Sequence, residues 1–183
     1  IYMDTCVMKT ELFISLVKEA KKLSSMYTLA DILKANCGTL DIRGVAHKGF
    51  FASITDFPSY YDANMNLLDY KAAQELFHDN WPIYTRTNDS CPTQYFDTAE
   101  VKNSVISNGC QIEGTVENSV IGRGCVIKKG AVVRNSVILA EVTVGEGVHV
   151  ENEVVDKWAR LVHEKEIVSP ADQPGYIRRG DTL

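Results

Sequence analysis

The sequence predicts a mainly β protein: a parallel β-helix of short coils, preceded by an α/β segment. The main observation is a six-residue phrase, Val-x-Asn-x-Val followed by Ile or Val, at residues 101–106, 116–121, 133–138 and 150–155. Its starts are separated by 15, 17 and 17 residues, and such spacing is typical of a coil that repeats along an axis. A β-sandwich is the alternative, but alternating strands give no reason for one phrase to return at this spacing.

Apolar residues recur about every six positions within each interval, as at Ile121, Ile127 and Val133, which gives each coil three short sides. A β-branched residue on each side is predicted to point inward. The residue two positions before it is small or compact, because a triangular prism has little room inside. The compact residues are Ser119, Cys125, Ala131, Ser136, Val142 and Val148.

The repeated asparagines are predicted to turn the chain at the coil corners. Asn103, Asn118, Asn135 and Asn152 occupy the same position of the phrase, and Asn tolerates the left-handed backbone region better than most residues. Identical Asn side chains in successive coils can also hydrogen-bond along the axis, as amides do in stacked strands. We therefore expect an Asn ladder that keeps the coils in register.

Residues 1–77 are predicted to form an α/β domain from local signals. The predicted elements in order are a strand over residues 2–8, a helix capped by Thr10, a helix over 28–35 that ends at a left-handed Gly38, strands over 39–47 and 49–54, a helix over 58–68 that begins with Pro58, and a helical stretch over 71–77.

Residues 78–100 are predicted to connect this domain to the β-helix, which with a C-terminal cap takes up residues 101–183. The connecting segment contains Pro82 and Pro92 but is too apolar for a solvated linker. Its apolar residues are expected to pin the first domain against the β-helix: Trp81, Ile83, Tyr84, Tyr95 and Phe96. The open end of a coil stack must be covered, and Tyr176–Gly180 is predicted to supply its final strand.

Composition excludes two classes of partner. The 183 residues are 45% apolar with a net charge of −5, and they include neither a basic stripe for nucleic acid nor the roughly 20 apolar residues that span a bilayer. The odd number of cysteines without metal-ligand spacing favours free thiols in the cytoplasm. Because the chain begins at Ile1 without an initiator Met, we expect a piece of a longer protein.

Two stretches carry a resemblance to a known family. Residues 54–68 read Ile-Thr-Asp-Phe-Pro-Ser-Tyr-Tyr-Asp-Ala-Asn-Met-Asn-Leu-Leu, and residues 80–83 read Asn-Trp-Pro-Ile. With the hexapeptide coils, they resemble the C-terminal part of bacterial glucose-1-phosphate adenylyltransferase (ADP-glucose pyrophosphorylase). The resemblance covers nearly the whole chain, and residues 59–68 are its most specific part. It implies that the β-helix is left-handed and that residues 1–77 are a remnant of a nucleotidyltransferase domain.

Ser53 departs from the catalytic pattern of that family. Catalytic members carry Gly-Tyr-Trp-Arg-Asp-Val-Gly-Thr, whose Asp helps to hold Mg²⁺, whereas residues 49–56 here read Gly-Phe-Phe-Ala-Ser-Ile-Thr-Asp. A neutral hydroxyl is a poor substitute for a carboxylate ligand, and Asp56 lies three residues further on. The family's Asp-Phe-Gly-Lys-Asp stretch aligns with Tyr27-Thr-Leu-Ala-Asp31, which keeps only the last Asp.

These losses resemble the non-catalytic D-type subunit of Gram-positive glycogen synthesis. The resemblance implies the C-terminal part of a regulatory or assembly subunit, in a complex that makes ADP-glucose and pyrophosphate from ATP and glucose 1-phosphate. We expect no catalytic residue, cofactor or metal site in this chain, with Mg²⁺ held by a catalytic adenylyltransferase partner. The β-helix is expected to mediate homo- or hetero-oligomer contacts.

Three alternatives stay open. A drifted but active enzyme could take its metal ligand from elsewhere despite Ser53, or the chain could belong to a related nucleotidyltransferase that makes GDP- or dTDP-sugars. A hexapeptide-repeat acyltransferase would use a His as general base, for which His149 is the candidate, although an outward-facing surface His is the favoured interpretation.

Two further pairs of residues have chemistry that could serve a site. Arg178 and Arg179 are a candidate site for a phosphorylated effector, against the alternative of a solvated cationic end. Cys110 and Cys125 fit the compact inward position, and we assign them to packing.

Overall fold

A parallel β-helix forms the C-terminal half of the chain in a computed structural model, which describes residues 3, 5–23, 28–77, 82–84, 87 and 89–183. Three five-stranded parallel sheets make its sides. Face 1 contains β1 (Gln94–Tyr95), β4 (Gln111–Ile112), β7 (Val126–Ile127), β10 (Thr143–Val144) and β13 (Arg160–Leu161). Face 2 contains β2 (Glu100–Lys102), β5 (Thr115–Glu117), β8 (Val132–Arg134), β11 (His149–Glu151) and β14 (Glu166–Val168). Face 3 contains β3 (Val105–Ile106), β6 (Val120–Ile121), β9 (Val137–Ile138), β12 (Glu153–Val155) and β15 (Gly175–Ile177).

The register of the strands places equivalent residues directly above one another. Val116 pairs with Val133, and Ile121 pairs with Ile138, in parallel strands one coil apart. The inward apolar side chains of the central coils, such as Val116, Ile121, Val133 and Ile138, are fully buried, and the compact positions identified from the repeat have no exposed surface: Ser119, Cys125, Ala131, Ser136, Val142 and Val148. The predicted parallel β-helix is confirmed, and its core is a one-dimensional stack along the axis.

Left-handed residues turn the chain at its corners. Between faces 2 and 3 stand the four repeated asparagines, with φ from 44° to 57°, as predicted. Between faces 3 and 1 the equivalent residues are Gly109, Gly124, Glu141, Trp158 and Gly180, all with positive φ. Left-handed backbone costs a residue with a Cβ about 1–2 kcal/mol, so Glu141 and Trp158 are strained where other coils use glycine.

A column of hydroxyl groups beside the Asn corner links the coils on face 3. The backbone N–H groups of Ser119, Ser136 and Glu153 donate to the Oγ of Ser104, Ser119 and Ser136, respectively, each at 3.1 Å. The asparagines contribute further links: Asn103 Nδ2 donates to Asn118 Oδ1 at 2.8 Å, and Asn152 Nδ2 donates to the Ser169 carbonyl oxygen at 2.8 Å. Of the predicted Asn ladder, only the Asn103–Asn118 link is formed among the described asparagines of the phrase, and the serine column, which the repeat pattern did not predict, joins the coils of face 3.

The strands of the β-helix extend from β1 to β15. Strand β1 lies inside the segment assigned as a connection, because Tyr95 pairs with Ile112 and so belongs to the first coil. At the other end, β13, β14 and β15 make a regular last coil. The predicted final strand over 176–180 is observed as Gly175–Ile177.

Four of the residues expected to pin the first domain are exposed: Ile83, Tyr84, Tyr95 and Phe96. The fifth, Trp81, lies outside the described residues. Tyr95 is exposed for a physical reason. It occupies an inward position, but β1 is the edge strand of face 1.

Four helices occupy the described residues before the β-helix: α1 (Thr10–Leu23), α2 (Leu29–Ala35), α3 (Phe57–Asn66) and α4 (Tyr70–Leu76). The chain divides into two compact units, Ile1–Lys48 and Gly49–Leu183. In the first unit α1 contacts α2, and Leu16 and Ile32 are buried. Helix α3 belongs to the second unit, where it packs on the β-helix.

The strands predicted over residues 39–47 and 49–54 are not formed, and residues 3 and 5–8 are also irregular, with the rest of that predicted strand outside the described residues. A strand requires a neighbouring strand to pair its backbone groups, and local propensity alone does not supply one. Gly38 is not left-handed either; helix α2 ends at Ala35 and is capped by Asn36, with φ of −100°.

Candidate functional site

Helix α3 lies against the outer surface of face 3. Its start is set locally: Asp56 accepts a hydrogen bond from the Ser59 N–H at 2.9 Å, and Pro58 lies in the first turn. Tyr61 on this helix is only 8% exposed and packs in one cluster with Val137 and Val154. Helix α3, which lies in the segment that carries the family resemblance, is therefore packed against the β-helix of the same chain.

The hydroxyl of Tyr61 fixes the helix to the Asn corner. Tyr61 Oη donates to the Asn135 carbonyl oxygen at 2.5 Å, and burial raises the pKa of Tyr61, which keeps this donor protonated. At the start of the helix, the Phe57 ring meets the Tyr176 ring edge-on, with 5.7 Å between centroids. These contacts join residues far apart in sequence, and only the 59–68 resemblance indicated that this segment matters.

Ser53 is exposed and lies outside any helix or strand. The two carboxylates that the family resemblance brought into consideration are both used in helix caps. Asp56 caps α3, and its pKa is lowered by the hydrogen bonds from Ser59. Asp31 Oδ2 accepts from Thr28 Oγ1 at 2.7 Å and from the Thr28 N–H at 3.1 Å at the start of α2, which likewise lowers its pKa.

No group of three or more His, Cys, Asp or Glu side chains that could hold a metal ion occurs among residues 3, 5–23, 28–77, 82–84, 87 and 89–183. Within the same ranges, no helix combines the length and the apolar character needed to cross a membrane.

His149 lies on the outside of face 2, in strand β11. Its Nδ1 is 3.1 Å from Glu166 Oε2, and its Nε2 is 3.1 Å from Glu151 Oε2. A general base needs one ring nitrogen directed at its substrate. Because both ring nitrogens of His149 face carboxylates, the geometry favours a bridging surface residue.

Arg178 and Arg179 lie at the corner between faces 3 and 1 in the last coil, and both are exposed. They differ in their contacts. The Arg179 guanidinium carbon lies 4.0 Å from the centre of the Trp158 ring, a cation–π contact. This contact holds Arg179 beside a strained tryptophan that the sequence patterns did not single out. A large aromatic residue where other coils carry glycine was the signal that could have identified it.

Glu153 takes the position that serine occupies in the other three copies of the phrase. Its carboxylate is buried on face 3. Its exposed fraction is 4%, and Ser169 Oγ donates to its Oε1 at 2.5 Å. Burial raises the pKa of Glu153. Gly175 lies alongside, and a Cβ there would collide with the Glu153 carboxylate and Ser169 Oγ.

The two core cysteines lie in successive coils, as their assignment to packing requires. Cys110 Sγ donates to the Gly122 carbonyl oxygen and Cys125 Sγ to the Leu139 carbonyl oxygen, each at 3.0 Å. The hydrogen bond with Cys110 and burial both raise the pKa of Cys125. Both side chains are buried, which makes Cys125 an unreactive packing thiol.

Comparison with known proteins agrees with this architecture. The family model described as "GlmU-like, C-terminal hexapeptide" matches residues 92–173. A glucose-1-phosphate adenylyltransferase of Fervidobacterium nodosum is 33% identical over 76% of this chain and 34% of its own length. The glycogen biosynthesis protein GlgD of Bacillus subtilis is 31% identical over 84% of this chain and 45% of its own length. GlgD of Geobacillus stearothermophilus is 35% identical over 72% of this chain and 38% of its own.

The chain spans less than half the length of these curated relatives. The similarity nevertheless extends well beyond the hexapeptide coils, because 84% of this chain aligns with the Bacillus subtilis protein. Within the stretch that it shares with them, the chain belongs to the family of glycogen-biosynthesis proteins that includes glucose-1-phosphate adenylyltransferase and GlgD.

Proposed function

We propose that this chain is the C-terminal part of a non-catalytic, regulatory or assembly subunit of glucose-1-phosphate adenylyltransferase. The complex would convert ATP and glucose 1-phosphate to ADP-glucose and pyrophosphate in the cytoplasm. Its Mg²⁺ would be held by the catalytic partner subunit. The β-helix would provide the contacts between subunits, in a homo- or hetero-oligomer.

The observation that carries this proposal is the chemistry around Ser53. A hydroxyl stands where the resemblance implies a metal-binding carboxylate, and Asp56, the nearest following carboxylate, is hydrogen-bonded to Ser59 as a helix cap. Asp56 Oδ1 is thus occupied by the Ser59 N–H, and the side chain is oriented toward the start of α3. This arrangement supports an assembly role over a catalytic one.

The packing of α3 on the β-helix supports a role in binding a partner subunit. Buried apolar contacts and the Tyr61–Asn135 hydrogen bond hold the helix on face 3. The serine column runs along the same face. A partner subunit would thus meet a preorganised surface, which reduces the conformational entropy lost on binding.

The test is to mix this chain with the catalytic adenylyltransferase of the same organism. We expect the two to co-elute in size-exclusion chromatography and the ADP-glucose formation rate or its effector response to change. Absence of both effects would refute the proposal. The chain alone, assayed with ATP, glucose 1-phosphate and Mg²⁺, should form no ADP-glucose. Product formation there, or with GTP or dTTP instead of ATP, would favour one of the nucleotidyltransferase alternatives.

Arg178 and Arg179 are proposed to contact an anionic effector of the complex. Arg179 is held against Trp158, and Arg178 lies beside it at the same corner. The Arg178→Ala and Arg179→Ala variants should both weaken the response to a phosphorylated effector. Lys157→Ala at the same corner serves as a control. An unchanged response in both arginine variants would leave them as a solvated cationic end. Acetyl-coenzyme A binding in calorimetry would instead indicate an acyltransferase.

A further inference from the structure

Face 2 presents two rows of outward side chains along the β-helix. The middle residues of its strands point into the core, and those of β5, β8 and β11 are fully buried, so the residues on either side of them point outward. The first row is Glu100, Thr115, Val132, His149 and Glu166, and the second row is Lys102, Glu117, Arg134, Glu151 and Val168.

The second row alternates in charge over its first four members. Lys102 Nζ lies 3.1 Å from Glu117 Oε1, and Arg134 Nε lies 3.4 Å from Glu117 Oε2. Glu151 is paired with Arg134 in the strand register. The side chains of Lys102 and Arg134 are 80% and 45% exposed, so these charges are accessible to a partner despite their neighbours.

This order of charges is complementary to itself when it is reversed. A two-fold axis parallel to the strands, at the level between β5 and β8, would lay face 2 of one copy on face 2 of another. The axes of the two β-helices would then be antiparallel. Lys102 would then oppose Glu151 of the other copy, and Glu117 would oppose Arg134. Every opposed pair in the second row has opposite charge, and each contact occurs twice, as an isologous interface requires.

The first row contributes no charge pair to this arrangement. Glu100 would oppose His149, whose two ring nitrogens are already engaged by Glu166 and Glu151, so the attraction between copies rests on the second row. At the centre, Thr115 would oppose Val132, so no charge is left buried without a partner there. The fifth coil, with Glu166 and Val168, would extend past the contact.

We infer that face 2 binds face 2 of a second copy of this chain in this antiparallel, two-fold arrangement. The inference specifies one contact of the oligomer proposed above, and its test uses this chain alone, so its outcome does not depend on the catalytic subunit. The four paired coils cover roughly 15 Å by 10 Å, far less than the roughly 800 Å² per partner of a standard interface. The dimer is therefore expected to be weak and weakened further by salt.

The experiment uses two single charge reversals and their mixture. In Lys102→Glu, the carboxylate introduced at position 102 would oppose Glu151 of the other copy, and in Glu151→Lys, the ammonium group introduced at position 151 would oppose Lys102. Each like-charged contact would occur twice across the axis, so neither variant should self-associate. An equimolar mixture should associate at least as tightly as the unmodified chain, because each reversed charge then meets its complement. Sedimentation at up to about 1 mM protein and about 20 mM salt measures this.

The double variant Lys102→Glu/Glu151→Lys separates contacts between copies from contacts within one copy. It restores both opposed pairs across the axis. Within one chain, however, it places a carboxylate at position 102 beside Glu117 and an ammonium group at position 151 beside Arg134. Recovery of the dimer therefore identifies pairing between copies. Lys157→Glu, at the corner opposite face 2, carries the same charge change as Lys102→Glu and should leave the dimer unchanged. Circular dichroism of each variant checks that it is folded.

Three results would overturn the inference. The unmodified chain could remain monomeric throughout the concentration range. Lys102→Glu and Glu151→Lys could each associate as the unmodified chain does. Finally, both could lose association without recovering it when mixed, which would exclude the two-fold arrangement.

Discussion

Replacement of Tyr61 by Ala should release helix α3 from the β-helix without unfolding the coils. The ring is 8% exposed, packs with Val137 and Val154, and its hydroxyl donates to the Asn135 carbonyl oxygen. Truncation of a buried aromatic ring costs about 3–5 kcal/mol. The lower end applies because α3 lies at the surface, where water can fill the space left by the ring.

A loss of about 3 kcal/mol increases the opening equilibrium of α3 roughly 100-fold. Hydrogen exchange measured by mass spectrometry should show this acceleration in peptides that cover residues 57–66, with unchanged protection in the strands of the β-helix, because the inward core does not include Tyr61. Tyr61→Phe keeps the ring and removes only the hydrogen bond, so it should cost about 1 kcal/mol.

Tyr70→Ala on the neighbouring helix α4 is a matched control, since this tyrosine is 73% exposed and its loss should cost less than about 0.5 kcal/mol. Unchanged exchange of α3 in Tyr61→Ala would refute the docking role of the ring. Equal acceleration in α3 and in the β-helix strands would show that the two unfold as one unit.

Three further predictions concern the corners and the buried carboxylate. Because burial raises the folded-state pKa of Glu153 above its ordinary value of 4.5, its contribution to stability is greatest below that pH and is lost as the pH rises. The gain in melting temperature of Glu153→Gln over the unmodified chain should accordingly be larger at pH 7 than at pH 4, and a gain independent of pH would contradict this. Gly175→Ala should cost about 1–3 kcal/mol by overpacking, and the cost should shrink in a Glu153→Ser background; additive losses in denaturant titrations would argue against the collision. Asn118→Ala should lose about 1–2 kcal/mol at its left-handed corner, whereas Asn118→Gly should be tolerated better, and equal losses would mean that backbone conformation is not the cause.

Local sequence was sufficient where one residue sets its own backbone. The asparagines of the phrase adopt the predicted left-handed conformation, and α2 forms close to the predicted residues 28–35, with Thr28 as its N-cap. The strands predicted over 39–47 and 49–54 failed because the pairing of a strand is not a local property. The position of Tyr61 also could not be predicted, since its partner Asn135 is 74 residues away.

The sequence by itself determined the β-helix, its compact interior and its Asn corner, because each coil repeats the same short pattern and contacts only its neighbours. Its resemblance to a family also singled out Ser53. Only the tertiary structure decided that α3 lies on face 3, that Asp56 serves as a helix cap, and that the charges of Lys102, Glu117, Arg134 and Glu151 form one row. These features depend on which side chains the coil register and the helix packing bring together, and that arrangement is not encoded in any single segment.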